Sequence, residues 1–443
     1  MKNELTRLER YRGCLLGLAA GDALGAPLRG MKAGHVRQVY GEIEDYVDAA
    51  KAWEGRPHRW VLPGLYTSNT QRVLVIADIL ARDGHCEPRA LADVFVEMAD
   101  AHVPGSACGC HRRVSRNFLG ALERMRSATT DPRECGGPSA GCGAAARGAP
   151  LGLFYADKPD LLARAVIETS MVTHRDRRAI EAALAVALAV AQAVAGQSGR
   201  RLRPAETARL LAEQVRQADM APSLNRGQQA NVTAPSFLPS LELLPRLLEE
   251  ADDTLAFDSI VREANRCAPD RPIHDPSEGF APAGVIAALY LALGGRSLPE
   301  AVPTVVGLGR EAHDLGAIVG AIVGAREGLE AIPGQWLVGL RNADQVRLRA
   351  DGLASGAIDY STWRGIVELE SEVTATEERE RRRLAERWDK EGLLVKKKPR
   401  IRPPAQPELG FAPPPELWLR RKLEREQRVR KRRREDRGRK DGF

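Results

Sequence analysis

The run Gly309-Arg310-Glu311-Ala312-His313-Asp314-Leu315-Gly316-Ala317-Ile318-Val319-Gly320-Ala321-Ile322-Val323-Gly324 decides the fold class. Gly316, Gly320 and Gly324 recur every fourth residue, which places them on one helix face. Glycine costs a helix about 1 kcal/mol relative to alanine. Three on one face therefore predict that the backbone of a neighbouring helix comes close there. Membrane dimers use the same spacing, but this apolar run is too short to span a bilayer. The expectation is tight helix packing inside a soluble, all-α core.

Helical periodicity extends along most of the chain. It predicts helices over 7–20, 70–83, 89–102, 114–126, 158–169, 177–194, 204–218, 240–250, 255–265, 282–293, 298–308 and 312–330. Strand alternation is confined to short pieces such as 60–62. The longest apolar run, Ala179 to Gly196, contains Glu181, Gln192 and many alanines. A buried helix accounts for it better than a membrane span.

Composition narrows the setting. The seven cysteines are an odd number and scattered, which argues against a disulfide framework. The first eleven residues are charged and carry no signal-peptide core. A cytoplasmic location with no membrane association is expected. Net charge is +7, but residues 371–443 hold 24 Lys/Arg and 14 Asp/Glu, or +10. The other 370 residues then carry 7 − 10 = −3. The expected organisation is a helical domain over 1–345, a charged helical extension over 346–395, and a Pro-rich linker with a basic tail over 396–443.

Several short segments invite a chemical reading. Gly137-Pro138-Ser139-Ala140-Gly141-Cys142-Gly143 precedes a helix of small residues. Its backbone N–H groups suit a phosphate or ribose, though a plain turn reads the same way. Gly21-Asp22-Ala23-Leu24-Gly25 ends the first helix. Cys108-Gly109-Cys110-His111 is spaced too tightly for ordinary zinc binding. Thr173-His174-Arg175-Asp176 suits either a site histidine or a helix cap. Tyr66-Thr67-Ser68-Asn69-Thr70-Gln71 and Glu311-Ala312-His313-Asp314 gather oxygen and nitrogen donors beside helix starts. A hard cation such as magnesium favours carboxylates, and Ser68 and Asn69 offer only neutral oxygens.

Taken in order, these segments resemble the ADP-ribosylglycohydrolase family. Tyr11 to Pro27 looks like its opening helix and loop. Tyr66 to Leu74 stands where the family has Thr-Asp-Asp-Thr. Ser139 to Leu153 is similar to Ser-x-Gly-Asn-Gly followed by Met-Arg-x-x-Pro-Leu-Gly, and Ser170 to Asp176 to Ser-x-x-Thr-His. Gly309 to Gly324 matches the frame of Gly-Gly-Asp-Thr-Asp-Thr and a Gly/Ala helix. The order covers residues 8 to 342. The resemblance implies an orthogonal helical bundle, two magnesium ions, and release of ADP-ribose from a modified side chain or nucleotide.

The departures fall on the chemistry. The family's adjacent metal-binding aspartates match Ser68 and Asn69, with Thr67 retained before them. Its second ligand set matches Glu311, His313 and Asp314. Arg29 stands near the place of an assisting glutamate, and Cys142 replaces a ligand-contacting asparagine. Two close dications need anionic ligands around them, so at most one divalent metal is expected, on Thr67, Glu311 and Asp314. A transition metal on the His313 nitrogen is an alternative. Gly21, Asp22, Arg29, Ser139, Gly141, Cys142 and Gly143 are the expected ligand contacts. Three functions follow: an impaired member that binds ADP-ribose, a nucleotide or a protein; an active hydrolase with altered metal use; or an adaptor. In the last, Arg430-Lys431-Arg432-Arg433-Arg434 would make salt-sensitive, nonspecific nucleic-acid contacts.

Overall fold

The computed structural model describes residues 5–195, 202–218 and 235–395. The basic tail and Pro-rich linker lie outside the described residues. Among those residues the chain is helical, and its only β features are isolated bridges. The strand-like piece 60–62 is irregular.

The centre of the fold is a pair of antiparallel helices, Arg7–Gly25 and Ala312–Glu327. The first opens on a capping box between Thr6 and Glu9, which satisfies exposed N–H donors. It carries glycines at 13, 17, 21 and 25, again every fourth residue. Gly13 lies against Gly324, Gly17 against Gly320, Gly21 against Gly316, and Gly25 against Ala312. A Cβ added at Gly17, Gly21, Gly316, Gly320 or Gly324 would collide with a backbone carbonyl oxygen of the partner helix. The helix predicted to stop at residue 20 therefore continues to Gly25, and Gly21 serves helix contact.

Other apolar helices surround this pair. Ala281–Leu293 is buried from Ala281 to Ala292, and Arg177–Ala195 from Arg178 to Ala191. The second is long and apolar enough to cross a membrane, yet most of it is inside the protein. Helices apolar on every side belong in the middle of a core. All seven cysteines are free.

The compact unit runs to Leu394 and takes in the segment expected as a charged helical extension. Helix Ile366–Lys390 docks on the body through buried polar groups. Glu370 is 0% exposed. It accepts from Tyr66 Oη at 2.7 Å and Gln71 Nε2 at 2.8 Å, and pairs with Arg112 at 2.6 Å. Thr374 accepts from Arg112 and donates to the Cys110 carbonyl. Glu377 holds Arg113 at 2.9 Å and Arg381 at 3.0 Å. The charge pattern of this helix hides three inward polar residues spaced by helical turns.

Two outcomes are expected. Gly17→Ala should lower stability by about 2 kcal/mol or more, because overpacking outweighs the propensity gained. Gly34→Ala, where a Cβ meets nothing within 4 Å, should be neutral or slightly stabilising; denaturant titration compares them. Glu370→Gln should cost about 3 kcal/mol by leaving Arg112 buried and unpaired. Glu368→Gln, whose side chain is 72% exposed, should cost under about 0.5 kcal/mol.

Candidate functional site

Helix Ser68–Asp83 starts at the site, and Asp22 holds that start in place. Asp22 Oδ2 accepts from the backbone N–H groups of Thr67 at 3.0 Å and Thr70 at 3.1 Å, and from Thr70 Oγ1 at 2.7 Å. Its Oδ1 accepts from Thr67 Oγ1 at 2.8 Å. A carboxylate at a helix N-terminus is favoured by unpaired N–H groups and the dipole. Burial pushes its pKa up to about 6 against those hydrogen bonds. Asp22, expected to touch ligand, is thus fully buried and spent on the scaffold. Thr67 is likewise committed, since its Oγ1 also accepts from Asn69 N–H.

The second wall begins with a turn in which Gly309 and Arg310 both have positive φ. Arg310 N–H donates to the Met31 carbonyl, and Gly30 N–H to the Arg310 carbonyl. These bonds draw Arg29 beside Glu311, with guanidinium and carboxylate 3.6 Å apart. Asn69 Nδ2 donates to Asp314 Oδ1 at 2.6 Å across the gap between the walls. The two motifs, 245 residues apart in sequence, meet as the family frame requires. Ser68 is buried beside Asn69.

His313 faces both carboxylates. Its Nε2 is 3.4 Å from Asp314 Oδ1 and 3.8 Å from Glu311 Oε2. Burial, with repulsion from Arg29, Arg113 and Arg72, pushes its pKa down to about 3 despite Glu311. The imidazole is neutral at pH 7. Asp314 is shifted up by burial, opposed by Asn69, Arg29 and Arg72.

Cys142 lies below the Ser139–Gly143 turn. Burial and the nearby Asp314 and Glu311 carboxylates drive its thiol well above the usual range, so it is a protonated thiol and no nucleophile. Ser139, Gly141 and Gly143 are partly exposed, and Ser139 Oγ accepts from Gly141 N–H. Gly143 lies over the His174 ring, with 3.7 Å from an added Cβ to Nε2. The Cys108–His111 cluster is structural: Cys110 Sγ donates to Met98 O, while His111 engages Phe95 O and packs edge-on against Phe95 and Phe118.

A two-magnesium centre does not fit these residues. Thr67 Oγ1 donates to Asp22, Ser68 and Asn69 offer no carboxylate, Asp314 Oδ1 accepts from Asn69, and Glu311 pairs with Arg29. Within the described residues, donor atoms of Glu311, His313 and Asp314 lie within 4.8 Å of one another. An imidazole with two carboxylates suits a transition metal better than magnesium, but such an ion would have to compete with Arg29 and Asn69. A surface groove of about 840 Å³ along Arg89, Asp93, Glu97 and Val367 contains none of these residues.

The motif reading passed over Arg72, which is 4% exposed. Arg72 stands three residues after Asn69, so it shares that helix face.

Comparison with known proteins identifies the family. Residues 3–362 match the ADP-ribosylglycohydrolase family. A protein of Archaeoglobus fulgidus is 28% identical over 345 residues, covering 76% of this chain and 93% of its own. The ADP-ribosyl-[dinitrogen reductase] glycohydrolase of Rhodospirillum rubrum is 28% identical over 166 residues, covering 38% and 51%. A solved structure described as an ADP-ribosylglycohydrolase-related protein complex superposes with a TM-score of 0.53 at 28% identity, covering 79% of this chain and 98% of that one. With the family matched over most of its length, the chain belongs to the ADP-ribosylglycohydrolase family.

Proposed function

We propose that this chain is a catalytically impaired family member that binds ADP-ribose, or a nucleotide of similar build, without metal. The carrying observation is the hydrogen bond from Asn69 Nδ2 to Asp314 Oδ1 at 2.6 Å. Where the family resemblance implies aspartate and a dication, this chain has an amide and a direct protein–protein hydrogen bond. Arg29 on Glu311 supplies positive charge in the same place.

Charge accounting supports the reading. Glu311 and Asp314 bring two negative charges, and Arg29 and Arg72 bring two positive ones. A divalent ion added to this balanced group would leave an excess of positive charge that no further carboxylate offsets. Water activation by paired metals therefore has no support among these side chains. Binding has more: the partly exposed Ser139–Gly143 turn offers backbone donors, and Arg29 is accessible enough to meet an anion.

Two outcomes are expected. Purified protein should hold no stoichiometric metal by elemental analysis. ADP-ribose binding by calorimetry should be the same in EDTA and in magnesium, with no magnesium-dependent release of ADP-ribose from arginine- or serine-linked substrates. Magnesium-dependent turnover abolished by Asp314→Ala would overturn the proposal. Secondly, Ser68→Asp, Asn69→Asp and His313→Asp combined should raise magnesium affinity at least about tenfold, since anionic oxygens select that ion. Unchanged affinity in the folded triple variant would show that more than the ligand set was lost.

A further inference from the structure

Arg29 is partly exposed at the site, and its placement depends on one backbone carbonyl. Its Nε stands 3.6 Å from Glu311 Oε2, with both side chains partly exposed. That separation is too long for a hydrogen bond, and a partly exposed ion pair fixes a side chain weakly. The hydrogen bond that holds the guanidinium runs from Nη1 to the Arg113 carbonyl at 3.1 Å. Where that carbonyl points therefore decides where Arg29 lies.

The Arg113 backbone does not take this orientation by local preference. Its φ is 55°, in the left-handed region, which disfavours any residue with a Cβ. Surrounding contacts must hold it there. The Arg113 guanidinium donates to the Trp60 carbonyl, to the His58 carbonyl at 3.3 Å and to Glu377 Oε1 at 2.9 Å. Arg112, one residue earlier, donates from Nη1 to Thr374 Oγ1 at 2.9 Å and stands 2.6 Å from Glu370 Oε2. Its own N–H donates to Gln71 Oε1 at 3.0 Å, and its Nε to the Tyr66 carbonyl at 3.2 Å. Glu377 is 2% exposed and is held in turn by Arg381 at 3.0 Å. The Arg113 carbonyl is what this anchored pair presents to Arg29.

Glu370, Thr374 and Glu377 all belong to helix Ile366–Lys390, which begins after residue 362, where the family match ends. They are four and three residues apart and so share one face. We infer that this helix is a positioning element for the site, and that Glu377, acting through Arg113, is the residue that fixes Arg29 beside Glu311. A long side chain held before binding loses less rotamer freedom on meeting an anion. The anchoring thus sets the affinity of the site for the phosphate groups of its ligand. That last step rests on the binding function proposed above; the placement of Arg29 by the helix does not.

The test uses the full-length protein with ¹⁵N-labelled arginine, read first without ligand. The Arg29 Nε–H signal is identified by its loss in Arg29→Lys. Glu377→Leu removes both acceptor oxygens, while Arg113 and Arg381, 14% and 18% exposed, can turn to water. In that variant the Arg29 Nε–H should exchange with solvent at least about tenfold faster than in the parent. Glu181→Gln is the control for a merely structural effect: it weakens a carboxylate just as buried, whose partners are Arg177, Ser236 and Phe237. It should lower Tm and leave the Arg29 signal unchanged. If Glu377→Leu does not fold, Arg113→Gly decides, because glycine accepts the positive φ and Glu377 keeps Arg381. Arg29 exchange equal to the parent's in the folded variant, or an equal acceleration in Glu181→Gln, overturns the inference.

Calorimetry with ADP-ribose then separates the inference from the function it serves. Where the parent binds, Glu377→Leu should raise Kd about fivefold, through lost preorganisation; an unchanged Kd overturns the claim that the anchoring sets affinity. If the parent does not bind ADP-ribose, the function proposed above falls, and the Arg29 signal still decides the positioning.

Discussion

The contact on which the rest depends is backbone against backbone, between helices Arg7–Gly25 and Ala312–Glu327. Glycines at 13, 17 and 21 face glycines at 324, 320 and 316, leaving no room for a Cβ. The interface has little side-chain adaptability, so its register is set by hard contact. That register brings Asp22, at one end of the first helix, to the start of helix Ser68–Asp83. It also brings Glu311, His313 and Asp314 to the same end. Site geometry here follows from helix packing more than from any loop.

The chemistry at that end is a redistribution of charge. Family resemblance implies carboxylates around two dications. This chain keeps Asp314 and Glu311, substitutes neutral groups at Ser68 and Asn69, and brings Arg29 and Arg72 close. On the proposed reading, guanidinium groups covalently part of the fold supply positive charge where the resemblance implies ions. A guanidinium has no vacant coordination position and cannot lower the pKa of a bound water as a metal does, but it binds oxyanions well. Under the function proposed above, loss of hydrolysis and retention of anion recognition would come from the same substitutions.

Helix Ile366–Lys390 lies beyond the residues that match the family. It reaches back to the segment containing the degenerate motif, because Glu370 joins Tyr66, Gln71 and Arg112. Glu377 joins Arg113, whose carbonyl accepts from Arg29. The hydrogen-bonded route from this helix to Arg29 is thus two residues long. Buried ion pairs of this kind are costly to break and define orientation well, which explains why the compact unit includes this helix.

Much was legible in the chain because it is local. Helix positions follow from periodicity, and the close helix approach from Gly316, Gly320 and Gly324. The segments that meet at the site follow from motif order. The loss of carboxylates at Ser68 and Asn69 is likewise plain from residue type. What the sequence could not supply was partnership. Asp22 reads as a ligand contact until its oxygens are seen to hold Thr67 and Thr70. Nothing in the helix pattern shows that Arg72 lies buried over the Phe118 ring. The charged C-terminal helix gives no sign in its sequence that Glu370 points inward. Each of these depends on which groups from distant segments share a low-dielectric space. That is decided by the packing of whole helices, and no local pattern encodes it.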